Sequence, residues 1–147
     1  MRPLKTFEEY LREGIVSKTS KNKERSKSLV LESQRKMRSL TEWQNKIGIF
    51  DHNANDYVEY CYDSIMLLIR ARLYLEGFAA SGKGAHEGEV SYLRVMGFPE
   101  SDVQFADSLR YFRNGILYYG TSLDKEYAEQ VIAFTKRVQP KLKEALR

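Results

Sequence analysis

Cysteine and tryptophan occur once each in this chain, histidine twice and proline three times. Each scarcity excludes something. A lone Cys61 cannot close an internal disulfide, and it points to a reducing compartment. With His52 and His86 the only other such ligands beyond carboxylates, no zinc-like spacing exists, so neither a metal nor a cofactor is expected. Long apolar runs are missing too. The most apolar stretch, SIMLLI, is far short of the ~20 residues a membrane span needs. The opening MRPLKTFEEYLREG has no signal-peptide apolar region, and the expected setting is the cytoplasm, without membrane contact. Internal repeats and low-complexity tracts are absent.

What remains is an ordinary globular composition, 42% hydrophobic and 30% charged over 147 residues, enough for one packed domain over residues 1–147. The net charge of +4 hides an asymmetry. Residues 1–50 carry twelve Lys/Arg against six Asp/Glu, whereas residues 51–147 carry twelve against fourteen. The basic excess is densest in KTSKNKERSK, residues 18–27. It reads either as a solvated loop and helix start or as an electrostatic footprint for nucleic acid or an acidic partner.

Helical periodicity dominates, and no period-2 apolar pattern persists. TFEEYLREG opens on a capping box, Thr6 with Glu9, and Gly14 stops it. After a basic loop, a long polar helix runs through ERSKSLVLESQRKMRSLTEWQNKIG, with a sparse stripe at Leu29, Met37, Leu40, Trp43 and Ile47 that puts it outermost. The next helix opens near Asn55 and ends at Gly77, apolar on most of its circumference and therefore central. A flexible Gly/Ser loop and a helix from about Ala85 to Met96 follow. Ser101 is the expected cap of the next helix, whose stripe is Phe105, Leu109, Phe112, Ile116 and Tyr119. A last helix from about Ser122 repeats the spacing with Tyr127, Val131, Phe134, Val138 and Leu142, and Pro140 is expected to kink it. Strong stripes on helices joined by short loops imply an all-α fold, an antiparallel bundle of four or five helices. Residues 1–50 supply basic N-terminal helices and a loop, and residues 55–145 the core.

The stretch RYFRNGILYYG carries the candidate chemistry. On a wheel of ~100° per residue, Arg110, Asn114 and Tyr118 form one row beside the apolar stripe. Arg113 falls on the other flank, nearer the core and roughly 140° from Tyr118. The two would meet at one ligand only if the arginine swings round or a second chain completes the site. The arginines either pair with Asp102, Asp107 or other carboxylates, or bind phosphate through the guanidinium fork. Gly115, costing about 1 kcal/mol inside a helix, implies a close backbone from a neighbouring helix or a dimer mate.

CYDSIMLLIRARLYLEGF, GKGAHEGEVSYL and LRYFRNGILYYG, in this order and spacing, resemble the HEPN domain superfamily (higher eukaryotes and prokaryotes nucleotide-binding) over about residues 55–145. The resemblance implies a helical bundle, commonly a homodimer with the signature helices of two chains facing each other. Active members are metal-independent endoribonucleases, many of toxin or defence type. Others bind RNA or a nucleotide without catalysis, or pair with a small nucleotidyltransferase. In active members an arginine holds the scissile phosphate and a histidine four to six residues on moves the proton. Here Arg113 matches that arginine and Asn114 its polar neighbour, but Tyr118 occupies the histidine position. A phenol with a pKa near 10 is a poor general base at neutral pH, though it donates a hydrogen bond or stacks on a base. A tyrosine that some members carry two places further on falls here on Gly120. His86 stands where the family often has a non-catalytic histidine, and reads as a helix-entry residue. His52 reads as a loop residue near a helix cap. Catalysis, if present, rests on Arg113 and Tyr118, and ligand binding on Arg110, Arg113, Asn114 and Tyr118. The favoured reading is a HEPN-like protein that binds RNA, a nucleotide or a partner protein. A toxin-type ribonuclease is the alternative, and a helical assembly protein without a ligand the third.

Overall fold

The structure, a computed structural model, describes residues 1–146. Its described residues form six α-helices and one small two-stranded ribbon, so the all-α expectation holds for the bulk of the chain. Helix α1 (Phe7–Arg12) starts on the expected box, the Thr6 hydroxyl accepting from the Glu9 N–H and the Glu9 carboxylate from the Thr6 N–H. Strand β1 (Val16–Lys18) follows, then α2 (Lys23–Lys46), α3 (Ala54–Glu76), β2 (Phe78–Ala80), α4 (Ala85–Val95), α5 (Glu100–Tyr119) and α6 (Lys125–Glu144).

Helix α3 is the central element, touching α2, α4, α5, α6 and β2. Val58, Cys61, Leu68, Ile69 and Leu73 are fully buried on it. Its end at Gly77, in the left-handed region, is as expected. Helix α2 lies outermost, burying only Ser26, Ser33, Met37 and Leu40. At its contact with α3 the Ser33 and Ser64 hydroxyls lie 2.8 Å apart, small side chains that let the backbones come close while satisfying each other. No helix among the described residues is long and apolar enough to cross a membrane.

Several expectations are corrected. Val16 pairs with Ala80 and Lys18 with Phe78 in an antiparallel ribbon that the sequence does not announce, because three residues are too few to show alternation. The Gly/Ser loop after α3 is therefore partly strand. The basic segment 18–27 is a loop and helix start as read, apart from its first residue. Lys18 belongs to β1, and α2 starts at Lys23 behind Asn22, whose side chain accepts from the Arg25 N–H. Pro99, not Ser101, precedes α5, as a proline fits a helix entry. Helix α6 begins at Lys125 rather than near Ser122, because Asp124 caps it by accepting from the Tyr127 N–H at 2.8 Å. It runs through Pro140 to Glu144.

The apolar stripe of α5 is buried only in its first half, through Val103, Ala106 and Leu109. Ile116 still packs against the core, and the last turn is exposed: Leu117 is 51%, Tyr118 75% and Tyr119 85% exposed.

Cys61 is buried in α3, and burial pushes its thiol up to about 12 against the opposing effect of the Thr135 hydroxyl. In the folded protein it should stay unmodified by a disulfide reagent at pH 8, and react fully only in denaturant. Equal rates in the two states would contradict this packing.

Candidate functional site

Helix α5 and the start of α4 face each other across a cleft of about 430 Å³. One wall carries Arg110, Arg113, Asn114 and Tyr118; the other is the turn Gly82–Gly84 with Ala85, His86 and Glu87, and Lys83 at its tip. The ribbon holds that second wall in place. Val16 pairs with Ala80, and the Ser81 N–H donates to the Ile15 carbonyl at 3.0 Å, so the turn begins from a fixed point.

All four residues singled out on α5 thus line one cleft of one chain. The expected depth of the two arginines is corrected, while the first of the two ways for Arg113 and Tyr118 to meet, the arginine swinging round, is the one found. Arg110 is the buried one, 7% exposed, while Arg113 reaches round over the ring of Tyr62, its guanidinium carbon 5.3 Å from the centroid. An arginine side chain is long enough to cancel the angular offset of its Cα.

The two arginines are held very differently. Arg110 Nε donates to Asp107 Oδ1 at 2.8 Å, with Glu87 3.5 Å from a terminal nitrogen. Asp107 is itself 1% exposed, so this is a buried, neutralised pair. Arg113 has only a 3.5 Å contact to Asp63, and its Nε is buried without a hydrogen-bond partner. Arg110 is committed to the fold, whereas Arg113 is under-used by it.

His86 enters the same cleft, which its reading as a helix-entry residue did not foresee. Its Nδ1 lies 3.0 Å from the hydroxyl of Tyr62, a residue 2% exposed. Burial drives the Tyr62 phenol's pKa well above its ordinary value and so keeps it protonated. Burial, opposed by Glu89 and reinforced by Arg70, Arg113 and Arg110, drives His86 below its own, leaving a neutral imidazole at pH 7. Which of the two donates is set by the imidazole tautomer; with the phenol donating, the imidazole proton sits on Nε2 and His86 turns a donor toward the cleft.

Within the chain, the close neighbour of Gly115 is not another helix. A Cβ there would stand 3.1 Å from the Thr121 hydroxyl oxygen. After α5 the chain turns back, with the Gly120 N–H donating to Ile116 and the Thr121 N–H to Gly115. The close neighbour is the chain's own returning loop. Asn55 fixes that loop to the start of α3, donating to the Thr121 carbonyl and accepting from the Leu123 N–H. His52 is exposed, stacked on Phe50, and takes no part in the cleft.

Comparison with family models, with curated proteins and with solved structures finds no match to this chain.

Proposed function

We propose that the cleft between α4 and α5 binds a phosphate-bearing ligand, RNA or a nucleotide, and that the chain is a HEPN-like homodimer without efficient catalysis. The observation that carries this reading is the state of Arg113: a guanidinium at a cleft, over an aromatic face, held by nothing better than a 3.5 Å contact. Around it the cleft offers donors, namely Lys83, Asn114, the Tyr118 hydroxyl and His86. The one carboxylate in the lining, Glu87, lies 3.5 Å from Arg110. A lining rich in donors, with a phenol rather than an imidazole at position 118, suits holding a phosphate rather than cleaving beside one. The homodimer reading rests on the exposed aromatic end of α5, where Tyr118 and Tyr119 lie next to the cleft rim. A face of that kind suits a second copy, and a nucleotidyltransferase is the partner the family resemblance would suggest instead.

One observation favours the ribonuclease as a second reading: Arg113 and a histidine share the cleft, although the histidine is His86 and not position 118. The two readings part in one experiment, a labelled mixed-sequence RNA at low salt with EDTA, mixed with wild type or Arg113→Ala. The expected result is no cleavage by either protein, retardation by wild type, and loss of that retardation in the variant. Removing one phosphate contact should also lower the salt slope of binding by about 1. Metal-independent cleavage lost in Arg113→Ala would replace the binding reading by the enzymatic one. Neither cleavage nor retardation would leave a protein partner as the object of the site.

A further inference from the structure

On the opposite side of Asp63 lies a second cavity, about 500 Å³, between α2 and α3. Its walls are aromatic, Trp43 from α2 with Tyr57 and Tyr60 from α3, and its charged groups are Asp56, Glu59 and Asp63. No lysine or arginine lines it, in a chain whose net charge is +4. We infer that this groove binds an extended organic polycation of the polyamine class.

Three features lead there. The first is the walls. The Trp43 and Tyr60 rings sit 4.6 Å apart at 54°, and the Trp43 and Tyr57 rings 6.3 Å apart at 78°. Tilted rings of this kind present π faces to a cation and flat sides to methylene groups. The chain itself shows that the chemistry works, since the Lys36 ammonium stands 4.3 Å from the Tyr60 ring centroid.

The second is the state of the carboxylates. Asp56 and Glu59 have no ion-pair partner among the described residues, and Asp63 has only the 3.5 Å contact to Arg113. Glu59 is half-buried, and burial lifts its carboxyl above the usual range, opposed by Arg113. A half-buried carboxylate without a hydrogen-bonded cation is an incomplete arrangement that a bound ammonium group would complete.

The third is spacing, which decides between cations. Positions 56, 59 and 63 follow i, i+3, i+7 along one face of α3, separated along the axis by about 4.5 and 6 Å. The three- and four-carbon spacers of a polyamine set successive ammonium groups at similar intervals. The carboxylates do not converge on a point: no three ligand-type groups among the described residues could hold one metal ion. A divalent metal is thereby disfavoured, and a single ammonium or guanidinium would use only part of the row.

Trp43, the only tryptophan, makes the test direct. Spermidine is titrated into the full chain without RNA, following tryptophan fluorescence, with isothermal titration calorimetry in parallel. Saturable binding is expected. Asp56→Asn with Glu59→Gln should weaken it by about tenfold or more while the circular dichroism spectrum stays that of wild type. The inference is overturned by an absence of saturable binding, or by equal responses to sodium or magnesium chloride at matched ionic strength. Arginine amide binding as tightly as spermidine would overturn it too, pointing to a single cationic side chain, and so would an unchanged affinity in the double variant. None of these results depends on whether the Arg113 cleft binds phosphate.

Discussion

Arg110→Ala should destabilise the folded chain by about 3–5 kcal/mol, the range for removing one partner of a buried ion pair. The variant leaves Asp107, 1% exposed, as a carboxylate without its 2.8 Å donor, and removes the contact to Glu87. Water cannot replace the guanidinium without opening the packing of α5 against α4. Urea denaturation of wild type and variant measures the difference. The double variant Arg110→Met with Asp107→Leu should recover most of the loss, since neither charge is then stranded. A loss of under about 1 kcal/mol for the single variant would mean that the pair behaves as a surface one, and that Arg110 is free for a ligand after all. Arg113→Ala is the internal contrast. Its guanidinium satisfies no buried partner closely, so its removal should leave stability little changed while RNA retention is lost.

That contrast was not legible in the sequence. Arg110 and Arg113 are three residues apart on one helix, and each has acidic residues within reach in the chain. Which arginine is spent on the fold depends on where α4 brings Glu87 and how deeply Asp107 is buried, and both are tertiary facts. A helical wheel leaves the choice between a swung arginine and a second chain open for a related reason. It fixes the direction of Cα–Cβ bonds, while a long arginine chooses its own path beyond Cβ, here across the ring of Tyr62.

The helices themselves were legible wherever local chemistry sets them. The box of Thr6 and Glu9, the left-handed Gly77 and the apolar circumference of α3 each act within a few residues, and each is found as read. The ribbon has no local signature because residues 16–18 meet residues 78–80 across a long stretch of intervening chain, with no alternation long enough to announce it. His86 stands at the entry of α4 as read, while its partner is set by Tyr62 on another helix and has no local signature.

The Arg70–Glu89 pair joins stability to the state of the cleft, and its disruption has the second large expected effect. Arg70 on α3 meets Glu89 on α4 in a two-bond fork, Nε at 2.6 Å and a terminal nitrogen at 2.9 Å. Glu89 is 3% exposed, whereas the Arg70 side chain keeps partial contact with solvent. Arg70→Ala should therefore cost about 3 kcal/mol, toward the lower end for a buried pair because one partner is part-solvated. The same change acts on His86, whose pKa Arg70 lowers and Glu89 raises. In wild type the unfolded chain takes up the histidine proton first, so His86 makes stability fall as pH drops below the ordinary value near 6.5. With Arg70 gone and Glu89 still present, the folded-state pKa of His86 should rise toward or past that value. The acid-side loss of stability attributable to His86 should then shrink or reverse, relative to the variant's own value at pH 8. Titration of the His86 ring by NMR in the folded variant reads this directly, at pH values where the protein stays native. A large stability loss with an unmoved His86 titration would confine Arg70 to packing; an upward shift would make the α3–α4 fork a contributor, beside burial, to the neutrality of the cleft's imidazole.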